Sequence, residues 1–193
     1  MSKVAIVGDA SGTGTFTISA PNGNTDRTLV LPDEAGTVLT SAGVPASAMP
    51  AGSVIQVVES VRTAGLTLTT NYGTFTDYLS GSITTTSANS KIIMLANVPM
   101  YQLAPNSAWN LAAYHRLAEN GTIIEGYEHP GLRDGTEYVQ VTSFNYLSGA
   151  KSIGTYTYTL SAAITGGSGA IYFARNVGGY VAKTRMFLME IAG

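Results

Sequence analysis

The sequence has no cysteine and only two histidines, and charged side chains make up 11% of it. Without cysteine neither a disulfide framework nor a thiolate metal site can form. His115 and His129 alone cannot fill the three or four protein positions of a zinc site. One histidine per copy on a three-fold axis would be the exception, and no metal or other cofactor is expected. The Lys and Arg residues are scattered, and the formal net charge is −2. No basic footprint for nucleic acid is therefore present. Low charge together with 45% apolar residues argues against disorder. No run approaches the ~18 apolar residues of a membrane-spanning helix, so membrane insertion is not expected. The opening stretch from Met1 to Gly8 has too short an apolar core for a secretory signal. Assembly in a cytoplasm is the expectation.

What the chain has instead is Thr, Ala, 22 Gly and 11 Tyr. Thr and Tyr favour strands and Gly supplies turns, so an all-β protein is expected. Strict alternation over Gly14–Ala20 puts Phe16 and Ile18 on one face. Asn22-Gly23 marks a turn, and Arg27–Leu31, with Leu29 and Leu31, and Gly36–Thr40 read as two more short strands. A segment of this size cannot enclose a core without disulfides, metal or association. Residues 1–45 are accordingly expected to trimerise or dock, with Phe16, Ile18, Leu29 and Leu31 at the interface. Residues 46–53, rich in small residues and Pro, read as a linker. Residues 54–193 read as the main domain.

From Val54 onward the chain is a series of short strands punctuated by turns, the pattern of a sandwich or barrel. Lys91–Ala96 is continuously apolar after its first residue, as for a strand buried on both faces. Glu119-Asn120-Gly121 is a hairpin turn. Thr122–Gly126 reads as a strand, and the end of the stretch Glu125–Pro130 as a loop. His115, alternating with Trp109, Leu111 and Ala113, reads as a packed core histidine. The closing strand Thr184–Ile191 is the informative one: Met186 and Leu188 lie on one face, Phe187, Met189 and Ile191 on the other. One face can join a sandwich core; the second needs a cover, either a loop of the same chain or a neighbouring subunit. Each side chain so buried contributes roughly 1.5–3 kcal/mol. Phe187, Met189 and Ile191 are therefore candidates for a subunit interface.

Several stretches carry a family resemblance. Thr15–Asn22, Arg27–Asp33 and Ala35–Leu39 resemble the N-terminal repeat of phage tail-fibre and virion-fibre proteins. Ser90–Met94, Arg116 through Asn120-Gly121-Thr122-Ile123-Ile124, Gly154–Tyr158 and Met189-Glu190-Ile191 are similar to the globular heads joined to such repeats. The resemblance implies a homotrimer with an antiparallel jelly-roll head, akin to tumour-necrosis-factor and complement C1q domains. It further implies attachment to other virion proteins through the N-terminal segment, and contact of the head with a host-surface polysaccharide or protein. The family's longer shaft is replaced here by a short linker, which implies a stubby fibre, tail- or capsid-associated.

Aromatic residues beside Asn, Gln and Arg in Tyr101–Trp109 and Tyr127–Arg133 suit a contact surface. The receptor-contact candidates are Tyr101, Gln102, Asn106, Trp109, Tyr127, His129 and Arg133, with ordinary loop packing as the alternative. Val4–Gly14 lacks the glycine order and Gly-Lys-Ser/Thr ending of a nucleotide loop. Glycosidase chemistry needs two carboxyl groups about 5–9.5 Å apart. Asp77, Glu125, Glu128, Asp134 and Glu137 carry no spacing that pairs them, and no Ser-His-Asp arrangement stands out. An enzyme is not expected. A decoration fibre without a receptor role and a polysaccharide-degrading virion enzyme remain the alternatives.

Overall fold

A computed structural model describes residues 8, 10–15, 17, 19, 22–26, 28, 44–69, 73–103, 111–132, 137–165, 169–177 and 180–193. The chain divides into two compact units, Met1–Val38 and Leu39–Gly193. In the first, residues 22–25 bend where the Asn-Gly turn is expected, and the described residues are exposed. Phe16, Ile18, Leu29 and Leu31 lie outside the described residues.

The second unit is built from strands. They are β1 (Val54–Arg62), β2 (Leu66–Thr69), β3 (Thr76–Thr84), β4 (Lys91–Leu103), β5 (Leu111–Glu119) and β6 (Thr122–Leu132), then β7 (Glu137–Leu147), β8 (Thr155–Thr165), β9 (Ala170–Phe173), β10 (Asn176–Val177), β11 (Tyr180–Val181) and β12 (Thr184–Ile191). Among the described residues the helical content is one 3-10 turn at Ala46–Ala48. No helix there is long and apolar enough to cross a membrane.

All pairings are antiparallel. One sheet runs β1-β12-β4-β7, and β9 and β2 continue it beside the far end of β4; the other runs β3-β8-β5-β6. The chain passes from one sheet to the other between β2 and β3, β3 and β4, β4 and β5, β6 and β7, β7 and β8, and β8 and β9. A six-stranded and a four-stranded antiparallel sheet wound by such crossings make a jelly-roll-like sandwich. The expected all-β jelly-roll-like architecture is therefore present.

Alternation explains the core. Along β4, Ile92, Met94, Ala96, Val98 and Met100 turn inward, as do Met186 and Leu188 of β12. They meet Tyr158, Leu160 and Ile164 of β8 and Leu117 of β5. His115 is buried among aromatics, as expected. Its Nδ1 lies 3.0 Å from the Tyr78 hydroxyl, and Tyr78 stacks on Phe173 at 4.4 Å between centroids. Burial raises the Tyr78 pKa well above the usual phenol value, keeping the hydroxyl protonated.

Two expectations are corrected. Lys91–Ala96 is not buried on both faces: Lys91 and Leu95 are exposed and Ile93 is half-buried. Its outward side chains lie on a sheet face that no second layer covers among the described residues. The end of Glu125–Pro130 is not a loop: the whole stretch is part of β6. A Pro survives there because β6 is the sheet's edge strand, where one lost N–H leaves no ladder partner unpaired.

The two sheets approach closely at Gly81. A Cβ added there would sit 3.0 Å from Ser60 Cβ, 3.4 Å from Met186 Sδ and 3.5 Å from Leu188 Cδ1. Gly81→Ala is expected to lower stability by about 1–2 kcal/mol through overpacking, read as a lower urea midpoint at unchanged slope. An unshifted midpoint would mean that the sheets part there without cost.

Candidate functional site

Register places complete rows of side chains on the outer face of the β1-β12-β4-β7 sheet. One row is Val57, Met189, Ile93 and Leu147; the next is Glu59, Phe187, Leu95 and Asn145. Val54 and Ile191 sit beyond the first row, beside Lys91. Further along β4 and β7 come Pro99 opposite Val141 and Tyr101 opposite Val139. Val57, Val141, Val139 and Leu147 are 55%, 60%, 66% and 58% exposed. A valine or leucine left so open across adjacent strands is unusual for a finished surface. The single ion pair described on this face joins Arg185 to Glu59.

The outer face of the other sheet is finished differently. Ser80 pairs with Thr159 at 3.1 Å, Ser82 with Thr157 at 2.7 Å and Thr84 with Thr155 at 2.8 Å, hydroxyl to hydroxyl. The contrast lies in sequence register: β3 and β8 alternate hydroxyls outward, whereas β1, β4, β7 and β12 turn apolar residues both ways. Phe187, Met189 and Ile191 stand on the open face, each half-buried, and no described segment of the chain lies over them. Sequence reasoning did not single out Val57, Leu95, Val139, Val141 or Leu147. Val139 and Val141, alternating with Gln140 and Thr142, were the available signal.

The two ends of the sandwich also differ. At the end where β1 begins, the connections are well bonded. Asn120 and Gly121, with φ of 49° and 81°, make the expected hairpin turn. Thr85 N–H donates to Gly154 O at 2.9 Å, and Asn89 N–H to Lys151 O at 2.8 Å. At the opposite end the chain leaves β2, β4, β6 and β8.

Of the receptor-contact candidates, Asn106, Trp109 and Arg133 lie outside the described residues, and His129 lies within β6. Two expectations are corrected. Gln102 faces the interior, 1% exposed, with no partner for its amide among the described residues. It occupies an inward position of β4 and cannot meet a receptor. Tyr101 is also buried, beneath the Arg175 guanidinium at 3.8 Å. Tyr127 is half-buried and meets the Phe144 ring edge-on at 5.2 Å.

A feature unforeseen in the sequence is the fully buried Glu190 carboxylate. Oε1 accepts from Thr86 N–H at 2.8 Å, Ser87 N–H at 3.1 Å and the Ser90 hydroxyl at 2.8 Å. Oε2 accepts from Gln56 Nε2 at 2.6 Å and the Thr86 hydroxyl at 3.1 Å. Burial pushes its pKa up, but the bonds from Gln56, Ser90, Ser87 and Thr86 outweigh that, and the pKa falls below the ordinary carboxylate value. The arrangement ties β12 to β1 and to the β3–β4 connection. Its donors are a charged group's cage, not a catalytic constellation. Among the described residues no three His, Cys, Asp or Glu side chains group as a metal site.

No protein-family model matches the chain, and no curated protein matches it. Two solved viral structures are similar in part. The D431N mutant VP2 protein of infectious bursal disease virus, from derived T=1 particles, aligns with a TM-score of 0.35 at 13% identity, over 72% of this chain and 36% of that one. A structure of the Gx strain of the same virus gives 0.34 at 14% identity, over the same shares. The chain thus spans about a third of the proteins it aligns with.

Proposed function

We propose that this chain is a structural protein of a phage virion: a short homotrimeric fibre whose jelly-roll head contacts the host surface. The observation that carries the reading is the open apolar face of the β1-β12-β4-β7 sheet. Four strands spaced about 4.8 Å apart and some eleven residues long present a face of roughly 700 Å². That approaches the ~800 Å² per partner of a standard protein interface. Phe187, Met189 and Ile191 belong to it, as the alternation of the last strand requires. A closed ring of copies covers such a face without leaving new surface to recruit further chains.

In this reading residues 1–45 dock onto other virion proteins, in line with their resemblance to fibre repeats. The end of the sandwich remote from Val54, where the chain leaves β2, β4, β6 and β8, faces outward. Adhesion then comes from three weak contacts held together, each raising the effective concentration of the next. The chain acts by binding and not by catalysis.

Sedimentation equilibrium on the purified chain is expected to give three times the subunit mass at micromolar concentration. A folded single copy at that concentration would sink the reading. Gold-labelled antibody against residues 54–193 is expected to decorate intact virions, and purified head to adsorb to susceptible cells. Decoration without adsorption would favour a fibre with no receptor role.

A further inference from the structure

The hairpin of β5 and β6, with Phe75 of the β2–β3 connection, forms a groove on the outer face of the second sheet. Phe75, Tyr114, Arg116, Gly126, Tyr127 and Glu128 line it, around a volume of about 310 Å³. That is the lower end of small-ligand sites. Register sets its geometry: Arg116 stands opposite Gly126 and Tyr114 opposite Glu128, so Arg116 and Glu128 are diagonal neighbours roughly 7–8 Å apart.

Three properties of the groove point to a ligand. The Arg116 guanidinium lies flat on the Phe75 ring, 3.5 Å from its centroid. Stacking fixes its plane and leaves its N–H edge directed away from the ring. Neither Arg116 nor Glu128 forms an ion pair or hydrogen bond with any described residue. A pre-set fork of donors and an open carboxylate acceptor therefore flank one gap. Finally, the gap exists because residue 126 has no side chain. Its φ is not in the left-handed region, and a Cβ there would meet only His115 O, at 3.8 Å. Neither the backbone nor packing requires glycine at this position, so a side chain placed there would stand in the gap without disturbing the fold.

We infer that this groove binds a neutral hexose unit of a host-surface polysaccharide. Adjacent hydroxyls of a pyranose can donate to Glu128 and accept from Arg116 at once. The polarised C–H face of the sugar ring suits the Tyr114 ring. An anionic ligand would meet Glu128 and a cationic one Arg116, so each is disfavoured by one wall. Within the groove a peptide cannot add as a strand to β5, which is already paired by β6 and β8. The inference names a ligand for the host-contact role proposed above and rests on it for the sugar's source. In a trimer closed through the other sheet, three such grooves remain open to solvent.

Saturation-transfer NMR on the purified full chain tests this with methyl α-D-glucopyranoside, methyl β-D-galactopyranoside and methyl α-D-mannopyranoside at millimolar concentration. Transfer to at least one hexoside is expected, reduced five-fold or more in Gly126→Val and in Arg116→Leu. Gly126→Val is expected to melt at the wild-type temperature or above, since valine suits a strand. No transfer to any of the three, or undiminished transfer in Gly126→Val, overturns the proposal. Adsorption to susceptible cells separates the two readings. Absence of adsorption by wild type counts against host contact itself, whereas equal adsorption by Gly126→Val removes only this groove.

Discussion

Glu190→Ala is expected to destabilise the sandwich by about 3–5 kcal/mol, a large share of the 5–15 kcal/mol typical of a domain. The substitution removes one acceptor but strands several donors: two backbone N–H groups at Thr86 and Ser87 and one N–H of the Gln56 amide, whose other N–H keeps Thr84 O, while the Ser90 hydroxyl retains Ser87 O. A buried donor left without a partner costs about 1–3 kcal/mol, and relaxation of Thr86 and Ser87 toward water recovers part of it. Glu190→Gln keeps the shape but sets an NH₂ donor against N–H donors, so a smaller loss is expected. The pH dependence separates charge from shape. Because the folded pKa lies below the unfolded one, the stabilisation is fully present above the ordinary carboxylate pKa of about 4.3 and is lost as pH falls through the folded value. Wild type should therefore lose stability on acidification more steeply than Glu190→Gln, in urea melts taken at pH 7 and in steps below pH 4.5. Parallel curves for the two proteins would show that the carboxylate is not held ionised by its cage.

Glu190 also shows where the sequence stops being legible. The Met189-Glu190-Ile191 and Ser90–Met94 stretches stood out by resemblance, but nothing local links them. The bond between Ser90 and Glu190 spans 100 residues, and an acidic residue near the end of a strand reads by default as solvated. What alternation could reveal, it revealed: the strands, the Asn120-Gly121 hairpin, the interior place of His115 and the two-faced closing strand. Those are properties of a single segment and its period. The end of the β6 stretch Glu125–Pro130 was misread because Gly and Pro are local breakers, whereas their tolerance depends on β6 being an edge strand, a fact of topology. Gln102 was misplaced because the reading took Tyr101–Trp109 as one loop, while β4 runs inward-facing through Gln102 to Leu103. The groove at Gly126 was equally hidden. Arg116 and Gly126 face each other only through a register that contains a bulge at Leu117/Ala118, and a one-residue slip would have sent Arg116 to the other face.

Leu95→Asp is expected to prevent the proposed trimer from forming while leaving the subunit folded. Leu95 stands in the middle of the apolar face, between Phe187 of β12 and Asn145 of β7, and is 40% exposed in a single subunit. Within one copy, then, an aspartate there keeps much of its hydration. In the assembly the same side chain would lose water with no cation placed to receive it, since Arg185 is engaged by Glu59. Loss of the leucine contact alone removes about 2 kcal/mol per subunit, and the unpaired carboxylate adds to that. Over three subunits some 6 kcal/mol lowers the trimer association constant by about 10⁴. Sedimentation equilibrium should show a single-subunit mass, with a far-UV spectrum and urea slope like those of wild type. Ser82→Asp is the matched control, carrying the same charge on the hydroxyl-lined outer face of the other sheet, and should remain trimeric. If Leu95→Asp stays trimeric and Ser82→Asp does not, the copies meet through the hydroxyl-lined sheet, and the apolar face needs another occupant.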